Sequence, residues 1–342
     1  MRHAMLLPAI VAALVPVSGA AAPAQEGKKK YKALYVTQSK GFRHGSVTRK
    51  DGALSPSEVA VTEIARESGL FEVECTQDAS LLTPEKLKEL DVVLFYTTGA
   101  LPISPENFEA FLAWLRSGKA FVGIHSATDT FHNYKPYVEL INGVFDGHPW
   151  GAGETVTLRV HDPEHAAVKS WGSELVIKDE IYQYRHYDPK AVRVLASLDM
   201  ARCKTKRPWH VPVVWVRQVG RGRLFYTNLG HNEGTWQDPR FRAHLLAGLR
   251  WALGLEPGSA EPNPDVQALE GVRSFCAAAA AELGKDYASL AAGAEAGARD
   301  SAWLERMAAE LAALRKLDPK KDADRRRADM ERLAAEIEKR KN

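Results

Sequence analysis

The chain has 342 residues, 45% hydrophobic and 26% charged, with a formal net charge of +3. That length exceeds one ordinary domain and supplies ample apolar material for a core. The small charge, much of it in the tail, and the lack of a basic stripe with interleaved aromatics exclude nucleic acid as the partner.

Arg2 and His3 precede an apolar run over residues 5–17, followed by the small residues of 18–24 (SGAAAPA). A charged start, short apolar core and A-x-A-like region read as a signal peptide over 1–24, with a mature start near Gln25. The run falls short of a span of ~20 residues, and no later segment qualifies, so no membrane span is expected in the mature chain. An uncleaved anchor is the alternative. The expectation is an exported protein, periplasmic or extracellular. Cys75, Cys203 and Cys276 are odd in number and scattered. They read as buried free thiols, although export would permit one bridge.

Residues 32–36 (KALYV) form the first predicted strand, followed by a glycine-bearing loop over 38–47. Ser55-Pro56-Ser57-Glu58 starts a helix with a serine cap, proline at the first helical position and glutamate three residues on, and Gly69 closes it. Residues 71–75 are a second strand, Thr83-Pro84 starts a short helix, and residues 91–96 (DVVLFY) are a third strand. Ser104-Pro105 starts a helix through Trp114 that Gly118 ends. Then comes AFVGIHSATD over 120–129, a continuous apolar run broken by a turn. Such a run reads as a strand buried on both faces. The alternation predicts βαβ units around a mostly parallel sheet with helices on both faces. His125 then sits at the carboxyl end of the central strand, where open α/β sheets bind ligands.

Residues 131–153 read as loop-rich, and 155–160 as a strand near the sheet margin. Residues 212–219 and 224–227 form a hairpin around Gly220-Arg221-Gly222-Arg223. The chain then enters Asn228-Leu229-Gly230-His231, and Asp238-Pro239 caps a helix through Trp251 to Gly254. The expected division is a domain over 25–255, a Pro/Gly linker over 256–264 and an α-helical C-terminal appendage over 265–342. Asn263-Pro264 caps its first helix, with Val266, Leu269, Val272 and Cys276 as its apolar stripe. The helical tail is expected to pack on the domain or to mediate oligomer or protein contact.

GFRH (41–44), VGIHSATDTF (122–131), DEIYQY (179–184) and GRLFYTNLGH (222–231) together resemble the ThuA-like, or trehalose-utilisation, family. W-x-D-P-R-F (236–241) and WALG (251–254) are similar to its closing segment. The resemblance spans roughly residues 32–254 and implies a flavodoxin-like sheet like that of class I glutamine amidotransferases. In that superfamily a cysteine nucleophile occupies the turn after the central strand. His125 stands there in this chain, which argues against glutaminase-type thiol chemistry.

His44, His125, Glu180 and His231 are expected to meet at the carboxyl edge of the sheet. Three imidazoles and a carboxylate suit Zn²⁺ or a similar divalent ion, with His44, His125 and His231 as the metal ligands. Without metal the same histidines serve as general acid and base. His125, His231, Glu180 and Asp129 are the catalytic candidates, and Arg43, Ser126, Tyr182, His148 and Trp236 the substrate-binding ones. Glu180 is alternatively an ion-pair partner of Arg185, and Asp129 a helix cap. The aromatics are stacking faces for sugar or core packing. His161, His165, His186 and His244 read as structural, while His132 and His148 either line the pocket or cap turns. The resemblance implies a small-molecule carbohydrate substrate, an oxidised (3-keto) disaccharide or glycoside. The alternatives are a non-catalytic carbohydrate-binding or scaffold protein and a metal-dependent hydrolase of another small substrate.

Overall fold

A computed structural model of the protein describes residues 30–341, so the expected signal peptide lies outside the described residues. In chain order the strands and helices are β1 (Tyr31–Val36), α1 (Pro56–Ser68), β2 (Phe71–Thr76), α2 (Pro84–Glu89), β3 (Val92–Phe95), α3 (Pro105–Arg116), β4 (Ala120–Ile124), α4 (Lys135–Ile141), β5 (Val144–Phe145), β6 (Thr155–Val160) and β7 (Glu174–Lys178). They continue with β8 (Tyr184–Arg185), β9 (Arg193–Leu198), β10 (Pro212–Val219), β11 (Gly222–Thr227), α5 (Glu233–Gln237), α6 (Pro239–Ala252), α7 (Pro264–Leu283), α8 (Tyr287–Gly297), α9 (Ser301–Arg315) and α10 (Ala323–Lys339). No helix among the described residues is long and apolar enough to cross a membrane.

Nine strands form one sheet in the order β2-β1-β3-β4-β11-β10-β9-β6-β7. The strands from β2 to β11 pair in parallel, the rest antiparallel, and only β10 and β6 run against the others. The mostly parallel α/β sheet expected from the strand–helix alternation is therefore present. Period-two alternation explains the continuous apolar runs. In β1, Ala33 and Tyr35 enter the core on one face and Leu34 and Val36 the core on the other. Helices α1 and α6 cover the first face, and α2, α3 and α4 the second.

Local sequence sets the helix ends. Ser55 and Glu58 form a reciprocal capping box at α1, and Gly69 closes that helix at φ 60°. Ser104 caps α3 and Asp238 caps α6 through their side chains. Asn263 behaves differently from its expected cap role: both ends of its amide pair with the Val194 backbone, extending the β9 edge. Residues 131–153 are not all loop, because α4 lies within them. Its end, Asn142-Gly143, has the look of a turn in sequence, and Asn142 adopts the left-handed cap at φ 62°. Strands β7 and β9 also escaped the pattern reading: β7 is short, and β9 is apolar nearly throughout, without turn signals as clear as those of β10 and β11.

Helices α7 to α10 have an apolar core of their own, built on Val272, Phe275, Trp303, Met307, Leu333 and Ile337. Val266 is an exception to the expected stripe, being exposed. This bundle packs on its own chain. Gln267 donates to the Pro189 and Val192 carbonyls and accepts from Tyr187, while Glu270 faces Arg159 of β6.

Candidate functional site

β1, β4, β7 and β11 point the same way, so the chain leaving each of them starts from one edge of the sheet. After β1 the loop to His44 is pinned to the segment after β3. Lys40 N–H donates to the Thr98 carbonyl (2.8 Å), Gly41 N–H to Thr98 Oγ1 (3.2 Å), and Thr98 Oγ1 to the Phe42 carbonyl (2.8 Å). Gly99, at φ 74°, makes this close approach feasible, since a Cβ there would lie 2.7 Å from the Lys40 carbonyl carbon. After β4 the chain turns at His125 itself, which holds φ 44° and is fully buried. A left-handed non-glycine residue stores strain, and such positions concentrate at functional sites. After β11 the turn at Gly230 is held by three donors to its carbonyl: Ser46 Oγ, Tyr96 hydroxyl and Trp236 Nε1.

Glu180 arrives from the far margin of the sheet. The segment after β7 returns over the strand ends, and two side chains that the sequence reading missed secure it. Asp179 accepts the N–H groups of Gly230 (2.7 Å) and Asn232 (2.9 Å), bracketing His231. Burial pushes its carboxyl up to about 6 against the pull of those donors. Asn228 accepts from Tyr182 N–H (3.2 Å) and donates to the Glu180 carbonyl (3.1 Å) through its side chain. Its own carbonyl accepts from His125 Nδ1 at 2.6 Å. Buried Asp and Asn within otherwise apolar strand ends were the available signal.

These elements bring His44, His125, Glu180 and His231 together, with one ligand atom of each within 4.8 Å of all the others. The His231 Nδ1 to Glu180 Oε1 distance is 3.0 Å, His125 Nε2 to Glu180 Oε1 is 3.7 Å, and His231 Nδ1 to His125 Nε2 is 3.3 Å. Because the Asn228 carbonyl only accepts, His125 carries its proton on Nδ1 and keeps the Nε2 lone pair facing the cluster. Burial, followed by the neighbouring imidazoles, holds His125 well below the usual histidine range and lowers His44 to about 3. Neutral imidazoles are the form that binds metal. His44 Nε2 lies 3.1 Å from the Tyr182 hydroxyl, while its Nδ1 is buried without a partner in the chain. Three imidazoles, His44 and His125 held neutral by burial and one nitrogen of His44 unpartnered, together with one carboxylate fit a divalent ion such as Zn²⁺.

Other expected site residues divide sharply. His148 is half-exposed, and its Nδ1 lies 3.2 Å from Glu180 Oε2, the oxygen away from the other histidines. The Tyr182 ring lies 4.3 Å from that of His125. Ser126 is buried next to His125, with a hydroxyl lacking a partner. Arg43 is exposed. Asp129 stands apart from the four-residue cluster and pairs with His132 at 2.6 Å; burial raises its carboxyl despite that partner. Trp236 requires a correction. It is 1% exposed, with its indole beneath the Gly230 turn, so it supports the site and offers no face to a sugar. Glu180 does not pair with Arg185, which donates to the Phe145 carbonyl instead. Cys203 and Cys276 are buried free thiols, whereas Cys75 is only partly buried.

The sequence profile of the ThuA family, described as trehalose utilisation, matches residues 32–252. A ThuA-like protein from Bacteroides uniformis ATCC 8492 superposes with a TM-score of 0.55 at 24% identity, covering 70% of this chain and 99% of that one. A second, from Parabacteroides merdae ATCC 43184, gives 0.54 at 18% identity, covering 68% and 93%. These likenesses concern the fold. No curated protein matches the sequence.

Proposed function

Because the chain belongs to the trehalose-utilisation (ThuA) family, we propose that it is an exported carbohydrate-active enzyme for oxidised (3-keto) disaccharides or glycosides. The observation that carries this reading is the convergence of His44, His125, Glu180 and His231, with His148 on the second oxygen of Glu180.

A ketone at C3 acidifies the C2 proton of a sugar, so a single well-placed base can start the reaction. His148 is the imidazole left free for that role. It is more than half exposed, lies outside the four-residue set and is oriented by Glu180 as a general base is oriented by a carboxylate. His148 takes the C2 proton, the C–H electrons form the C1–C2 double bond, and the C1–O bond breaks toward the leaving oxygen. The imidazolium returns its proton to that oxygen. Water then adds across the double bond to complete a net hydrolysis, or reprotonation without cleavage gives isomerisation. A divalent ion held by His44, His125, Glu180 and His231 would stabilise negative charge on the ketone oxygen. His231, partly exposed, is the ring of the cluster that would face the sugar, with buried His125 and Tyr182 packed behind it.

Incubation with 3-keto-trehalose, with and without chelator, is the test. Release of glucose that falls on chelation, and falls again by about 10²-fold or more in His148→Ala, is expected. No turnover of any 3-keto glycoside by zinc-loaded protein would remove the proposal. Export is checked separately, by sequencing the N-terminus of protein recovered from the periplasmic fraction. The expected start is near Gln25, and a chain retaining residues 1–24 in the cytoplasm would exclude export.

A further inference from the structure

Helix α9 ends at Arg315, next to Leu314, which is buried in the core of the helical bundle. The Arg315 guanidinium leaves that bundle and lies over the Trp209 ring, 5.3 Å from its centroid. It donates to the Tyr184 carbonyl at 2.5 Å and to Asp146 Oδ2 at 3.1 Å. Tyr184 belongs to β8 and Asp146 directly follows β5, and these two strands pair as a small antiparallel ribbon. The ribbon is stitched further by Asp146 N–H to the Gln183 carbonyl (2.9 Å) and Gln183 N–H to the Gly147 carbonyl (3.0 Å). The Gln183 side chain adds a bond to the Asp146 carbonyl (2.7 Å).

This ribbon carries side chains of the candidate site. His148 reaches Glu180 Oε2, Tyr182 reaches His44, and the Phe145 ring lies 4.4 Å from Tyr182 and 5.9 Å from His148. We propose that Arg315 is a positioning residue of the site: it ties the C-terminal helices to the 145–148 strap and thereby fixes His148 against Glu180. A partly exposed ion pair adds little stability, so the value of this one is geometric. One guanidinium nitrogen, Nη2, donates to both the carbonyl from one strand and the carboxylate beside the other while the flat group lies over Trp209, a stacking that a flexible ammonium does not reproduce equally well. The link from His148 to cation affinity rests on the proposed metal site, whereas the brace itself does not.

Two readouts separate these parts. In metal-free protein, Arg315→Ala is expected to speed hydrogen exchange of the Asp146 and Gln183 amides by about tenfold or more, with the core of α7 to α10 unchanged. Arg315→Lys should lie between, and Lys190→Ala, which cuts only the exposed pair with Glu305, should match wild type. In Zn²⁺ titrations, His148→Ala should weaken binding by about 10- to 100-fold and Arg315→Ala by less, about threefold or more. The double variant should bind no more weakly than His148→Ala alone. Wild-type exchange in Arg315→Ala overturns the brace, and additive losses overturn its action through His148. Faster exchange in a protein that binds no Zn²⁺ leaves the brace standing and removes the metal site. Should Arg315→Ala fail to fold, Asp146→Ala cuts the carboxylate half of the tie at a part-exposed side chain and should speed exchange of the Gln183 amide, with wild-type exchange overturning the brace.

Discussion

At the scale of single residues, Glu58 shows how a charge is held in the interior by the partners around it. Glu58 is fully buried and accepts from Arg49 (2.8 and 2.9 Å), Thr37 (2.6 Å) and Ser55 N–H (2.9 Å). Burial alone would raise its carboxyl, yet the hydrogen bonds from Arg49, Thr37 and Ser55 outweigh it and hold the group below its ordinary 4.5. A carboxylate depressed in the fold contributes stability above its unfolded value and loses it as pH falls through the folded one. The loss therefore falls in the acid range below pH 4.5. Glu58→Gln should cost about 2–3 kcal/mol at neutral pH, since it leaves the Arg49 guanidinium without its carboxylate. Thermal melts should show the variant's deficit shrinking as pH falls below 4.5, and a deficit independent of pH would contradict the assignment. The same reading by residue picked out His44, His125 and His231, which follow β1, β4 and β11 in the chain and which the structure brings together. It misplaced Trp236, because an aromatic soon after a strand end, here in α5, has the same sequence signature whether it lines a pocket or supports one.

At the scale of elements, β4 is the pivot. Gly123 lies two residues before His125, where a Cβ would come within 2.8 Å of Ile141 Cδ1 and 2.9 Å of Tyr226 Cδ2. The Tyr226 hydroxyl in turn donates to the His125 carbonyl at 2.7 Å. Gly123→Ala must therefore push α4 or the Tyr226 ring, at a cost of about 1–3 kcal/mol. It should also weaken Zn²⁺ binding by displacing His125. A melting temperature equal to wild type in Gly123→Ala would show that the neighbours yield freely. Most elements here were legible from caps and periodicity: serine or threonine followed by proline marks α1, α2 and α3, and alternation marks β1. Short pieces were not. α4, β7 and β8 have too few residues for a period to register, and their form depends on what they pack against.

At the scale of the whole molecule, the sheet brings to one edge residues separated by most of the domain's length. The strand–helix rhythm determined the α/β class, the parallel sheet and the edge at which ligands gather, because local propensity and burial on both faces dictate them. The same rhythm marked His44, His125 and His231, whose strands lie within the parallel half of the sheet. Only the tertiary structure decided how Glu180 joins them. β7 lies at the sheet margin, and its trailing segment returns across the strand ends through Asp179 and Asn228. It likewise decided that His148 faces the outer oxygen of Glu180 and that α9 grips the strap carrying it. Strand order, return paths and contacts between remote segments are non-local: they follow from how whole faces pack, and no window of neighbouring residues encodes them.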